Sequence, residues 1–311
     1  MKLFKINPTA KSLEQGSVLS IGNFDGVHLG HQALLKFLLQ KSMQLGLASV
    51  VVIFEPHPKE LFLGHQSPKR IYNLREKIIQ LKRLGVDYVF CIDFTPSFAK
   101  THPEQFIQNT LVQRLYARFI LVGHDFHFGK DRLGNQHLLQ KMGQAHGFEL
   151  GIFDMYELLG QRISSTGVRD LLVKQDVKNI SFCLGRHYSI IGRVIYGQKL
   201  ARLWGIPTAN IAVNPLKLTL SGVFCVNIKI CGQEQDYQGV ANIGYRPTVD
   251  GKKLFLEVHL FNFSGSLYGQ FIEVSFLNKL RNEQKFANIE ELRKQIEEDI
   301  VCAKHYFSQT N

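Results

Sequence analysis

Two histidines three residues apart stand out first, in Ile21-Gly-Asn-Phe-Asp-Gly-Val-His28-Leu-Gly-His31. They leave a short apolar run and enter a helical pattern, so both imidazoles project to one side of a helix start. Gly22 and Gly26 allow backbone to approach a ligand closely, and the first N–H groups of a helix suit phosphate. Two imidazoles there can donate to phosphate oxygens and stabilise charge developing on a transferred phosphoryl or nucleotidyl group. The plainer alternative is one capping and one surface histidine; the coincidence of strand, glycine turn and helix start weighs against it.

Three further polar segments fall at successive strand ends. Phe54-Glu-Pro-His57-Pro closes a second apolar run, and Gly123-His-Asp125-Phe-His-Phe-Gly129 closes another. Ile163-Ser-Ser165-Thr166-Gly-Val-Arg169 precedes a short helix, where hydroxyls, backbone N–H groups and a guanidinium can clamp a triphosphate. Neither GxxxxGK[ST] nor GxGxxG is present, which argues against a P-loop kinase and a dinucleotide oxidoreductase.

The second half carries a different set. Gly197 and Gly205 bracket a basic loop that ends in Pro207-Thr208-Ala209-Asn210. A hydroxyl and an amide oxygen are hard ligands suited to Mg²⁺ carrying a nucleotide phosphate; the alternative is an ordinary turn with Asn bonding its own backbone. Glu257, in Leu254-Phe-Leu-Glu-Val-His259, shares a strand face with Phe255 and His259. Facing a barrel mouth, it can take the proton of a primary alcohol attacking phosphorus; otherwise it is a solvent-facing strand glutamate.

The elements that must hold these groups follow from periodicity. Ser17–Phe24, Ser49–Phe54, Asp87–Phe94 and Arg118–Gly123 read as strands, with helices over Gly30–Leu45, from the Asn73-Leu-Arg-Glu76 capping box to Leu84, and over Pro103–Leu115. That alternation predicts parallel βαβ units, with ligands beyond the carboxyl ends of the strands. After about Leu184 the period changes. Tyr188–Tyr196, Val223–Ile230, Gln238–Ile243, Leu254–Phe263 and Phe271–Leu280 are strand-like, which predicts a small antiparallel barrel. A terminal helix over Asn288–Tyr306 shows Ile289, Leu292, Ile296, Ile300 and Val301 on one face.

GNFDGVHLGH, FEPHP, VGHDFHFG and ISSTGVR, in this order, resemble the adenylyltransferase module of bacterial bifunctional FAD synthetases, which belongs to the HxGH nucleotidyltransferases. The resemblance implies a Rossmann-like domain in which His28, His31, Ser165, Thr166 and Arg169 serve ATP, with Asn23, Phe24 and Asp25 lining the approach. It sets His57 and Asp125 near the FMN side or the adenine. GRVIYG…GIPTANI, GVF, GVANIGYRPTV, LEVHLFNF and LYG resemble the riboflavin kinase module of the same enzymes, a small Greek-key barrel with a C-terminal helix. By that resemblance Thr208 and Asn210 hold Mg²⁺–ATP and Glu257 is the catalytic base. Gly197, Lys199 and Arg202 belong to the phosphate-covering loop, and Arg293 is a flavin contact. The chain departs from the family's common residues at Tyr196, Asn262 and Ser266, which bears on flavin affinity and loop dynamics more than on the reaction.

The change of period near Cys183–Arg186 divides the chain into two domains, 1–183 and 184–311, and the resemblance gives each a reaction. The second makes FMN from riboflavin and ATP; the first makes FAD and pyrophosphate from FMN and ATP, both with Mg²⁺. Composition agrees: 311 residues suit two domains, and 45% hydrophobic with 20% charged residues excludes disorder. The formal net charge of +11 favours anionic partners. It is spread as 22 basic against 15 acidic residues in 1–183 and 15 against 11 in 184–311, so neither half is a basic tail. No run is long enough for a membrane span, no signal peptide is apparent, and five cysteines without CxxC spacing support neither a disulfide framework nor a zinc knuckle. The expectation is a cytoplasmic enzyme with small-molecule partners, without nucleic acid, membrane or an obligate protein partner. Two rivals are an RNA-linked HxGH nucleotidyltransferase and a non-catalytic flavin or nucleotide sensor. The first lacks KMSKS-like lysines, and the second is disfavoured by intact HxGH, PTAN and Glu257.

Overall fold

The computed structural model describes residues 2–4, 13, 15–197, 204–214, 217, 220–248 and 251–310, with the side chains of 2–4, 245–248 and 251–253 outside that description. Contacts divide the chain into two compact units, Met1–Pro68 with Lys77–Ser164, and Lys69–Glu76 with Ser165–Asn311.

In the first unit β1 (Lys2–Phe4), β2 (Ser17–Ile21), β3 (Ala48–Glu55), β4 (Tyr88–Asp93), β5 (Ala117–Gly123) and β6 (Glu149–Phe153) form one parallel sheet. Its order is β1-β4-β3-β2-β5-β6. A small hairpin of β7 (Glu157–Leu158) and β8 (Gln161–Arg162) follows. The strands alternate with α1 (Leu29–Leu45), α2 (Pro58–Leu63), α3 (Leu74–Arg83), α4 (Pro96–Ala99), α5 (Pro103–Gln105) and α6 (Gln136–His146). Val18, Leu19 and Val50 to Ile53 are fully buried, as expected of parallel strands covered on both faces. The chain steps outward from β2 to β3 and β4, then returns to lay β5 on the other side of β2. The carboxyl ends of β2 and β5 are thus the switch point of the sheet, where such folds take their ligand.

Periodicity located these elements but not all of them. The strand expected over Ser17–Phe24 stops at Ile21, because Phe24 has turned to φ 46. The helix expected over Pro103–Leu115 is α-helical only to Gln105 and continues in wider π-type turns over Phe106–Val112. β6 and α6 carry too little alternation to be seen beforehand.

In the second unit α7 (Ser165–Lys174) and α8 (Val177–Leu184) precede a closed antiparallel barrel. Its strands are β9 (Ser189–Ile195), β10 (Ala209–Ala212), β11 (Gly222–Ile230), β12 (Asp236–Thr248), β13 (Gly251–Leu260) and β14 (Phe271–Arg281). They run in the order β10-β13-β12-β11-β14-β9, with β9 paired back to β10. Ile211, Ala241, Ile243, Leu256, Val258 and Phe276 belong to the buried core inside. A terminal helix, α9 (Ile289–Thr310), packs outside, with Ala303 and Phe307 against Val223, Cys225, Val240 and Phe261. Burial pushes the Cys225 thiol there up to about 12, so it is a packing group and not a nucleophile. The face of α9 is rotated from the expected one: Ile289 and Val301 are 61% and 66% exposed, whereas Asp299, Ala303 and Phe307 are buried. Arg281 compensates Asp299, which is how a carboxylate comes to lie on the packed side.

The contact units do not meet at 183/184. Residues 69–76 and 165–184 contribute Ile71, Tyr72, Val168, Leu172, Ile180 and Leu184 to the same core as the barrel residues Phe224 and Phe276. Glu76 makes the capping box expected at Asn73: its Oε2 accepts the Asn73 N–H at 2.9 Å, and Asn73 Oδ1 accepts the Glu76 N–H at 2.9 Å. Its other oxygen accepts from Lys217 Nζ at 2.5 Å and from the Ile191 N–H at 2.9 Å. Both charged side chains are only 1% exposed.

Lys217→Met therefore leaves Glu76 charged in apolar surroundings. Chemical denaturation should show this variant about 3–5 kcal/mol less stable; a change below about 1 kcal/mol would mean that the pair behaves as a surface contact.

Candidate active sites

The first site is built on the turn from β2 to α1. Phe24 and Val27 both have positive φ, 46 and 42, a costly conformation for a β-branched residue. Burial holds them: Phe24 is 3% exposed and Val27 fully buried. The Val27 N–H donates to the Phe24 carbonyl at 3.2 Å, and Gln32 Nε2 donates to the Val27 carbonyl at 2.9 Å. The strained turn delivers His28 as the N-cap of α1, its Nδ1 accepting the His31 N–H at 3.4 Å. With Nδ1 an acceptor, the ring proton lies on Nε2. The two imidazoles stack with centroids 3.7 Å apart and planes 21° apart, and Phe24 lies against His31 at 5.1 Å. His28 is thus both a capping residue and one wall of an imidazole pair. A side chain at Gly30 would crowd the His28 ring at 3.2 Å and the Ile163 carbonyl at 3.3 Å, which explains the glycine between the histidines. Asp25 is buried beneath the same turn, and the buried Asn23 Oδ1 has no hydrogen-bond partner among the described residues.

The neighbouring strand ends hold the other expected residues of this unit. His57 caps α2, its Nδ1 accepting the Lys59 N–H at 3.1 Å. Asp125, exposed after β5, pairs with Arg162 of the hairpin at 3.4 Å. Alongside runs a series of touching phenylalanines not singled out from the sequence. Phe54 meets Phe94, Phe98 and Phe106 at 5.7, 6.2 and 6.4 Å. Phe106 continues to Phe128 at 5.6 Å, and Phe126 stacks on Phe128 at 5.4 Å. FEPHP and HDFHF supply two ends of this wall, and a clustering of Phe at strand ends was the available signal.

Ser165, Thr166 and Arg169 fall in the second unit, at the start of α7. The first turn of α7 has no acidic residue to compete with an anion. Arg169 Nε donates to the Lys69 carbonyl at 2.9 Å, which fixes its guanidinium.

The barrel site rests on register. Asn210 stands opposite Glu257, and Glu257 opposite Asn242, so three adjacent strands align three polar side chains in one row. Because Leu256 and Val258 point into the core, this row lies on the outer wall and not at a barrel mouth as expected. A cavity of about 260 Å³ covers it, lined by Thr208, Asn210, Asn242, Glu257 and His259 from the wall and by Leu292, Ile296 and Ile300 from α9. Gly197 is needed here: a Cβ at that position would overlap the Asn210 carboxamide. His259 Nδ1 lies 2.9 Å from the Pro207 carbonyl, and burial holds its pKa below the ordinary histidine range.

Sequence reasoning missed Asn242, Arg281, Glu283 and Asp299 in this cavity. Arg281 grips Asp299 with two bonds of 2.8 Å. The signal was an aspartate on the apolar side of α9, beside Ile296 and Ile300. Glu283 takes the space that a side chain at Gly244 would need. Arg293 is not brought in: it is exposed, bonds Glu297 at 2.9 Å and does not line the cavity. Lys199 and Arg202 lie outside the described residues. Of the departures, Tyr196 stacks on Tyr268 at 4.2 Å, and Asn262 adopts φ 53, a conformation that Asn tolerates well.

Two family models match successive parts of the chain. A FAD synthetase family model matches residues 10–167, and a riboflavin kinase family model matches residues 184–307. The bifunctional riboflavin kinase/FMN adenylyltransferase of Haemophilus influenzae is 44% identical over 312 residues, covering 99% of this chain and all of that one, 100%. Its counterpart from Escherichia coli K12 is 42% identical over 311 residues, covering 100% of this chain and 99% of the other. A crystal structure named Macrolide-efflux Protein from Streptococcus pneumoniae superposes with a TM-score of 0.80 at 28% identity, over 96% of this chain and 97% of that one. Efflux belongs to that protein's name; among the described residues here no helix is long and apolar enough to cross a membrane.

Gly197→Ala should displace the Asn210 carboxamide while sparing the barrel core. FMN formation should fall about 10²-fold with little change in melting temperature, as followed by chromatography and thermal unfolding.

Proposed function

The chain belongs to the bifunctional riboflavin kinase/FMN adenylyltransferase family, and from that premise we propose which residues perform each reaction. As an enzyme of this family it transfers a phosphoryl group from ATP to riboflavin, giving FMN, and then an adenylyl group from a second ATP to FMN, giving FAD and pyrophosphate. We assign the adenylyl transfer to residues 1–183 and the kinase reaction to 184–311, a division supported by the riboflavin kinase match beginning at 184.

In the kinase reaction Glu257 accepts the proton of the riboflavin 5′-hydroxyl as its oxygen attacks the γ-phosphorus and ADP departs. The observation that carries this reading is the ladder pair Asn210–Glu257 inside a covered cavity. Thr208 and Asn210 fit Mg²⁺. Both offer hard oxygens, and among the described residues no group of three or more His, Cys, Asp or Glu could cage a metal alone. Such a site suits an ion that keeps phosphate oxygens among its ligands. When bound, Mg²⁺ neutralises the polyphosphate. Gly197, Lys199 and Arg202 cover the phosphates. Phe286, Leu292 and Ile296 give the flavin ring its apolar surface, and Arg281 supplies the cation sought in Arg293.

In the adenylyl transfer the FMN phosphate is already an anionic nucleophile, so no protein base is required. His28 and His31 stabilise charge on the ATP phosphates during attack at the α-phosphorus. Ser165, Thr166 and Arg169 hold the pyrophosphate that leaves. Asn23 Oδ1 offers an acceptor to the nucleoside, with Phe24 and Asp25 shaping the turn. The half-buried Phe54, Phe98 and Phe126, backed by the buried Phe106 and Phe128, offer the isoalloxazine an apolar surface. The proposed partners are thus riboflavin, FMN, ATP and Mg²⁺, and the demand for ATP favours a cytoplasmic location.

His28→Ala should lower FAD formation from FMN about 10²–10³-fold and leave FMN formation unchanged. Glu257→Gln should lower FMN formation about 10²–10⁴-fold while FMN is still converted to FAD. Chromatography of flavins after incubation with ATP and Mg²⁺ separates the two. If either variant, still folded, lost both activities, the assignment of one reaction to each module would be wrong.

A further inference from the structure

Thr208 stands one residue before β10 begins, so the ladder that fixes Asn210 does not reach it. Pro207, just ahead, has no N–H, and its carbonyl is the only backbone group by which it can be anchored. The anchor comes from another strand: His259 Nδ1 lies 2.9 Å from that carbonyl. A carbonyl only accepts, so Nδ1 carries the proton.

We propose that His259 is a positioning residue of the kinase site, its Nδ1–H holding Pro207 so that the Thr208 and Asn210 oxygens converge on the metal–nucleotide opposite Glu257. This rests on the kinase assignment of the barrel. The imidazole is well mounted for the task. It lines the same cavity as Thr208 and Glu257, two residues along the same strand face from the glutamate. It meets Phe261 edge-on at 5.7 Å, and Phe261 meets Phe307 of α9 edge-on at 6.3 Å. The ring is therefore braced through the packing of α9 on the barrel, and Lys304 is the charged group set over that brace, 5.6 Å from the Phe261 ring. Gly197 fixes Asn210 by leaving room for its carboxamide, while His259 fixes the residues just before it by a hydrogen bond. The two constraints together set both oxygens.

Three variants of the full chain separate a clamp from a direct contact through Nε2. His259→Asn keeps an N–H that can reach the carbonyl and removes the far ring nitrogen. His259→Ala removes both, and His259→Phe keeps the edge-on packing without a donor. Trp204, the chain's single tryptophan, lines the cavity, so its fluorescence reports Mg²⁺–ADP binding without turnover. His259→Ala and His259→Phe should weaken Mg²⁺–ADP about tenfold, or about 1.4 kcal/mol, and raise the KM for ATP by a similar factor. His259→Asn should stay within about twofold of the parent chain. The KM for riboflavin and the adenylylation of FMN should not change, which checks that each variant is folded.

Unaltered Mg²⁺–ADP binding by His259→Phe would overturn the clamp. So would His259→Asn as weak as His259→Phe, since the far nitrogen would then be the working atom. A parent chain that forms no FMN from riboflavin would instead overturn the kinase assignment, and the inference with it.

Discussion

The Glu76 carboxylate is shared among three partners far apart in the chain: the Asn73 N–H, the Ile191 N–H and the Lys217 ammonium. Lys217 lies in turn 5.2 Å from the ring centroids of Tyr72 and of Tyr188, which stack on one another with planes 3° apart. A pair this deeply buried is satisfied in one arrangement only, because any displacement leaves a charge in apolar surroundings. The carboxylate thereby starts α3, ties segment 69–76 to the barrel and pins β9. β9 matters for function, since its far end pairs Ile195 with Asn210 and runs on to Gly197. The placement of Asn210 and Gly197 thus depends on a contact whose role is purely structural.

The two candidate sites are built by different physics. At the β2–α1 turn, backbone strain at Phe24 and Val27 is offset by their burial, and the result is a stacked imidazole pair at a helix start. Charge stabilisation is what such a place offers, and it is what the adenylyl transfer we propose for it demands. On the barrel wall the positions are set by ladder register, with Asn210, Glu257 and Asn242 in one row and Leu292, Ile296 and Ile300 of α9 lining the same cavity. A carboxylate so placed suits the proton of an attacking alcohol, the role we propose for it in the kinase step. Absent side chains do part of the work in both: Gly30 leaves room for the His28 ring, and Gly197 for the Asn210 carboxamide.

The pairing of Arg281 with Asp299 shows how a buried charge can mislead a reading by periodicity. Treating the terminal helix as a simple apolar stripe put Ile289 and Val301 on the packed face, where Asp299 in fact lies. The aspartate is tolerated because a guanidinium from β14 meets it with two bonds of 2.8 Å. The same pair lines the cavity beside Glu257, so the misplaced helix face and the omission of Arg281 have one cause.

Much of this protein was legible in the residues alone. The HxGH turn, the Asn73–Glu76 capping box, the change of period near 184 and the order of the motifs are local, and local spacing determines local geometry. Closure of the barrel decided the rest. It set which side of the wall Glu257 faces, brought Asn242, Arg281 and His259 beside it, and drew 69–76 and 165–184 into the unit that holds the barrel. Those relations join residues separated by tens to more than a hundred positions. Ladder register and the burial of an ion pair are satisfied only when distant segments meet, and no spacing within one segment records which partner it will find.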